Sequence, residues 1–151
     1  MNYWLFKSEP DEFSIDDLER NGATAWEGVR NYQARNFMRD DCKIGDLVLF
    51  YHSSCNPPGV AGIARVSQNA FDDPSQFDPK SPYYAPKSTR ERPLWQCVEL
   101  QFCEKFPRLI TLARIKDNPK LKEMTLVHRG RLSVQPVRPE EFHEILRMAQ
   151  A

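Results

Sequence analysis

The chain has 151 residues, 40% of them hydrophobic and 28% charged, a length and composition that suit one domain with a single core over residues 1–151. This balance excludes disordered and collagen-like classes, and a formal net charge of zero excludes a histone-like polyelectrolyte. No apolar run approaches the roughly 20 residues that a bilayer requires, which argues against a membrane-spanning helix.

The amino terminus reaches Lys7 and Glu9 too early for a signal-peptide apolar region, so the expected compartment is the cytosol, or the nucleus of a eukaryote. Residues 2–6 are dense in aromatic and apolar types and predict a short buried strand bounded by Ser8-Glu9-Pro10. Ser14 with Asp17 three residues later marks a helix start, Ile15 and Leu18 form its apolar pair, and Asn21-Gly22 its stop. A second helix should begin at Asn31, a good N-cap, because Ala34, Phe37 and Met38 recur at helical spacing. Its amino terminus would offer backbone N–H groups near Arg30–Tyr32.

Asp46–Ser53 reads as a central strand, Asn56–Gly59 as a turn and Val60–Val66 as the next strand. Residues 68–93 lack periodicity and carry Pro74, Pro79, Pro82, Pro86 and Pro93 among Phe71, Phe77, Tyr83 and Tyr84. A loop of that length in a small domain is either functional or a surface excursion pinned by its own aromatics. Leu94–Phe106 is a long strand whose broken alternation predicts a bulge, and Thr111–Lys116 and Pro119–Met124 are short helical turns. Leu132–Val137 is the last strand. Pro139 then opens a helix with Glu140 and Glu141 in its first turn and Phe142, Ile145, Leu146 and Ala149 in one stripe. Five or six strands interleaved with four short helices, without a βαβ rhythm, indicate an α+β fold built as a small mixed barrel.

Cys42, Cys55, Cys97 and Cys103 contain no Cys-x-x-Cys pair and no histidine at zinc-site spacing, so reduced thiols are expected, with neither metal nor other cofactor. Cys97 and Cys103, six apart, would share a face on a continuous strand. Residues 1–28 hold seven acids against Lys7 and Arg20, whereas residues 105–138 hold nine bases against Asp117 and Glu123. This describes either a basic face or ordinary solvated charges.

Catalytic signatures are weak. His52, His128 and His143 have no nucleophile motif beside them, and the P-loop, Gly-x-Ser-x-Gly and His-Glu-x-x-His patterns are absent. His52, ending a strand, suits packing or hydrogen bonding better than proton transfer, and His143 falls on the polar side of the last helix. A flat ligand edged with donors and acceptors, by contrast, needs aromatic walls and a few fixed polar groups. Trp26 stands before a Glu-Gly-Val-Arg-Asn-Tyr turn in which Asn31 both donates and accepts and Tyr32 adds a ring and a hydroxyl. Composition alone also allows Trp26 to be a core residue.

The stretch Trp26-Glu-Gly-Val-Arg-Asn-Tyr-Gln-Ala-Arg-Asn36, with Lys7–Pro10, Phe50–Ser53, Gly62–Ala64 and Leu132–Pro136, resembles the EVE domain family over nearly the whole chain. The resemblance implies a PUA-like fold, a small pseudobarrel flanked by helices, with kinship to ASCH and YTH domains. It implies binding of DNA or RNA carrying a modified base, with modified cytosine in DNA first, and a YTH-like RNA reader or an ASCH-like nucleoside hydrolase as alternatives. By the YTH pattern, Trp26 and Trp95 stand where cage tryptophans are found. Ser8-Glu9 stands where that pattern has Ser-Asn, and Glu9, acceptor-only, would suit an exocyclic amine but not replace an amide. Glu9 could instead cap the turn before Pro10. The resulting expectation is a base held by Trp26, Trp95, Tyr32, Asn31, Ser8 and Glu9, with phosphates met by Arg30, Arg35, Arg129 and Arg131.

Overall fold

In β1 (Tyr3–Ser8), Trp4 and Phe6 leave one face of the sheet and Leu5 the other, and all three are buried. β3 (Leu47–His52) repeats this, with Val48 and Phe50 on one side and Leu49 and Tyr51 on the other. Period-2 alternation with both faces apolar means a strand covered on both sides. The core accordingly divides into two clusters, one around Trp4, Phe6, Trp26 and Phe50, the other around Leu5, Leu49, Ile110 and Phe142.

The computed structural model describes residues 1–151. Six strands form one sheet in the order β2-β5-β4-β3-β1-β6, where β2 is Ala23–Ala25, β4 Gly59–Asp72, β5 Gln96–Thr111 and β6 Val134–Val137. β1 and β3 pair in parallel and the other neighbours antiparallel. β4 and β5 make a long pair whose register slips at several points. At one of these, a side chain on Gly62 would place its Cβ 2.2 Å from the Glu104 carbonyl oxygen. Only glycine allows that approach. The expected bulge is therefore present, and its slips carry Cys97 into the core while Cys103 lies exposed, so the two thiols do not share a face.

Local chemistry sets the helix ends. α1 (Ile15–Asn21) starts at a reciprocal box in which Asp17 N–H donates to Ser14 Oγ at 3.2 Å and Ser14 N–H to Asp17 Oδ2 at 2.8 Å. α2 (Tyr32–Asn36) is capped by Asn31, whose side chain accepts from Ala34 N–H at 2.9 Å, and runs into a π-helical turn over Phe37–Asp41. α3 (Leu112–Asp117) agrees with expectation, whereas α4 (Thr125–His128) is too short for a periodic signal. α5 (Pro139–Gln150) buries Phe142, Ile145 and Met148, and also Glu141 and Glu144, which the apolar stripe did not anticipate. Both carboxylates are paired. Glu141 accepts from the Arg138 amide at 2.9 Å, and Glu144 from Arg147 and from Asn118 at 2.6 Å, which holds its carboxyl down at about 2.

The segment expected as a loop over 68–93 begins later. β4 continues through Asp72, and a single 3-10 turn follows at Pro74–Phe77. Alternation failed to extend the strand because its outer end is half exposed and irregularly paired.

Candidate functional site

A cleft of about 840 Å³ opens at the carboxyl ends of the parallel strands β1 and β3. Lys7, Ser8 and Glu9 enter it from β1 and its continuation, Tyr51 and Ser53 from β3, Trp26–Arg30 from the segment after β2, and Gly130, Arg131 and Ser133 from the approach to β6. Its size lies within the range of about 300–1,000 Å³ usual for small-molecule pockets.

Trp26 is both core residue and cleft lining. It is 8% exposed, and its ring meets Phe6, Phe13 and Phe50 edge-on at 5.7, 6.3 and 5.5 Å. Those contacts brace the indole while leaving it at the cleft surface. Ser8 Oγ donates to the Phe13 carbonyl at 2.5 Å, which commits its proton. Glu9 accepts from the Glu12 and Phe13 amides through its backbone carbonyl, both at 2.9 Å, so the turn is closed by backbone and the exposed carboxylate is available.

Lys7 donates to the Gly130 carbonyl and lies 5.7 Å from the Tyr51 ring centroid. Burial pushes the Lys7 ammonium below its ordinary range and, with the nearby Cys55, pushes the Tyr51 phenol up to about 12. Tyr51 therefore keeps its proton at neutral pH. Glu27, also lining the cleft, has its carboxyl raised by burial and by Asp73, against the pull of Arg30.

Of the residues expected at the site, Ser8, Glu9, Trp26, Arg30 and Arg131 come together in the cleft, and Asn31, Tyr32, Trp95, Arg35 and Arg129 lie outside its lining. Trp95 stacks on Tyr32 with centroids 4.7 Å apart and planes 16° from parallel, a spacing that leaves no room for a base between them. Arg35 flanks that stack, 4.9 Å from Tyr32 and 5.7 Å from Trp95, and donates to the Leu94 carbonyl. Asn31 is occupied as a cap, and Arg129 donates to Gln33 at 2.8 Å. Arg30 lines the cleft but spends its guanidinium on Asp73 at 3.1 Å, Ser75 at 3.1 Å and the Tyr83 carbonyl at 2.6 Å. Arg131 is exposed and makes no ion pair.

Lys7, Phe13, Glu27, Tyr51 and Tyr83 join the lining without having been singled out. Lys7 and Tyr51 sit inside the Lys7–Pro10 and Phe50–Ser53 segments, so a signal existed for them; Tyr83 had none beyond being aromatic in a long loop. The basic stretch 105–138 is largely solvated or locally paired, as with Lys105 to Asp16 at 2.7 Å and Arg138 to Glu141 at 2.9 Å. His52 lies off the lining, and its Nε2 accepts the Ile15 amide at 3.1 Å.

Fold and cleft together define a small α+β binding module with a braced aromatic surface and a mixed polar rim. The EVE domain family matches residues 2–148, and the chain belongs to that family. It is 40% identical over 168 residues to thymocyte nuclear protein 1 of Homo sapiens, covering 99% of this chain and 74% of the relative. Among solved structures it is similar to human THYN1 in complex with 5-methylcytosine-containing DNA, with a TM-score of 0.95, 39% identity and coverage of 100% and 99% of the two chains. A hypothetical protein from Leishmania major superposes with a TM-score of 0.97 at 47% identity, covering 99% of this chain and 95% of that one. No helix is long and apolar enough to cross a membrane.

Proposed function

We propose that this chain is a non-catalytic module that takes a modified cytosine, flipped out of DNA, into the cleft beside Trp26. The observation that carries the reading is an indole held edge-on by three aromatic rings at the surface of an open cleft. A nucleobase stacked there gains about 1–3 kcal/mol, against a flipping cost of a few kcal/mol. The solved human relative bound to 5-methylcytosine DNA supports the choice of ligand.

Cytosine's edge presents an amine donor beside two acceptors. The Glu9 carboxylate, exposed and uncommitted, suits the amine, and Glu27, Tyr51 and Ser133 supply further polar groups along the lining. Arg131 at the rim suits a flanking phosphate. An amidase or nucleosidase needs an activated base or nucleophile; of the two candidate bases from sequence, His52 is occupied by the α1 amino terminus, and Glu9, although in the cleft, has no nucleophile hydrogen-bonded to its carboxylate. The name of the human relative also favours the nucleus as the working compartment in a eukaryote.

Anisotropy titrations against duplexes carrying one 5-methylcytosine, one 5-hydroxymethylcytosine or only plain cytosine test the reading. A preference for a modified duplex that Trp26→Phe weakens is expected. Equal weak binding to all three would refute modified-base reading, and tighter binding to matched RNA would reassign the partner.

A further inference from the structure

Tyr83 is the one cleft residue drawn from the proline-rich segment between the 3-10 turn and β5. Its ring rests on Gly28: a Cβ there would come within 2.7 Å of ring atoms Cε2 and Cζ, and the φ of +88° at Gly28 is one that side chains rarely adopt. Its backbone is gripped as well. Arg30 donates to the Tyr83 carbonyl from Nη2 at 2.6 Å and from Nε at 3.3 Å, while its Nη1 reaches Asp73 Oδ2 at 3.1 Å. That carboxylate oxygen also accepts the Gly28 amide at 2.8 Å. The other oxygen accepts from the Ser75 amide at 2.8 Å and its hydroxyl at 2.6 Å.

The Asp73 side chain is 1% exposed and that of Arg30 24%, so this is an ion pair largely removed from water and saturated with hydrogen bonds. Such a pair adds little net stability but defines one geometry sharply, because losing either partner strands the other. Here it joins the turn that follows Trp26 to a segment with no regular structure of its own. Tyr83, 37% exposed and with its hydroxyl unpaired, is presented to the cleft at that junction.

We propose that Tyr83 is a second aromatic wall of the cleft that touches the bound base, and that Asp73, acting through Arg30, is the positioning residue that holds it there. The proposal rests on the base-binding reading above. On this view the proline-rich segment serves to return one ring to the cleft, and its prolines limit the other conformations open to it.

Anisotropy with the 5-methylcytosine duplex, amide hydrogen exchange and thermal melts on the same variants test it. Tyr83→Phe should bind within about threefold of wild type, and Tyr83→Ala about tenfold or more weaker, with melting unchanged. Asp73→Asn should weaken binding comparably and quicken exchange over residues 78–93. The double variant should be no more than about threefold weaker than Tyr83→Ala alone, since both changes remove the same wall. If Asp73→Asn does not fold, Arg30→Lys tests the strap, because it retains the charge and loses the fork onto the Tyr83 carbonyl. Wild-type affinity in Tyr83→Ala, with the duplex preference intact, would overturn the wall and leave base binding standing. Exchange over 78–93 unmoved by the strap variants would overturn the positioning role. Absence of any duplex preference in the wild type would overturn the base-binding reading and the wall with it.

Discussion

Trp95 lies flat on Tyr32, 4.7 Å between centroids, in a stack that Arg30 and Arg35 flank from 5.2 and 5.7 Å of the Trp95 ring. Tyr32 is 55% exposed, yet the pair works as a brace tying α2 to the start of β5. Tyr32→Ala should therefore cost about 1 kcal/mol of stability, in line with aromatic pairs generally, and change affinity for a 5-methylcytosine duplex by less than about threefold. Paired denaturant melts and titrations check this. A tenfold loss of affinity would return the stack to the base site.

Asp46 is a buried acceptor for three donors: the Trp4 indole N–H at 3.0 Å, the Lys43 amide at 3.0 Å and the Asn2 amide at 3.1 Å. Asp46→Ala strands them together, and the expected loss is about 2–4 kcal/mol. For a domain of this size that is a fall in Tm of about 5–15 °C. Asp46→Asn, which retains one acceptor oxygen, should lose less, and calorimetry on both variants measures the difference.

His52 accepts the Ile15 N–H through Nε2, which requires a neutral ring. Burial pushes its pKa below the ordinary value, with Asp16 opposing and Lys105 adding to the effect. The unfolded chain then binds the proton more readily, so the stability His52 contributes is complete above about pH 6.5 and is lost as pH falls toward the depressed folded value. Tm should drop across that window in the wild type and drop less in His52→Gln. Parallel curves for the two proteins would show that His52 does not carry the dependence.

Arg131 stands at the rim of the cleft, exposed and without an ion pair. If it meets a phosphate, Arg131→Ala should weaken binding to methylated and plain duplexes by the same factor and reduce the slope of log K against log salt by about 1. Titrations from low to moderate salt read both quantities. A change confined to the methylated duplex would place Arg131 at the base instead.

The elements that local chemistry specifies were legible in the sequence. Ser14 with Asp17 started α1, Asn31 capped α2, Pro139 opened α5, and the dense apolar runs at residues 2–6 and 46–53 marked two central strands. These are signals a few residues long, each with its own hydrogen bond or periodicity to carry it. The family followed from the stretch Trp26–Asn36 together with four shorter segments along the chain, and the cleft residues Ser8, Glu9, Trp26, Arg30 and Arg131 lay in or beside them.

Tertiary structure decided how the aromatics were shared out. Trp26 and Trp95 are equally buried, at 8% exposed, but one is braced edge-on beside the cleft and the other is capped by Tyr32. No local pattern separates them, because the difference lies in which distant rings the fold brings against each indole. Tyr83 lines the cleft with its ring on Gly28 and its carbonyl held by Arg30, which Asp73, buried just past the end of β4, fixes in place from many residues away. Sequence by itself determined the family and the local starts of its helices and central strands, and its signature stretch holds the one tryptophan that lines the cleft. The proposed second wall depends on the buried pair of Arg30 and Asp73, residues far apart in the chain that only the tertiary fold brings together.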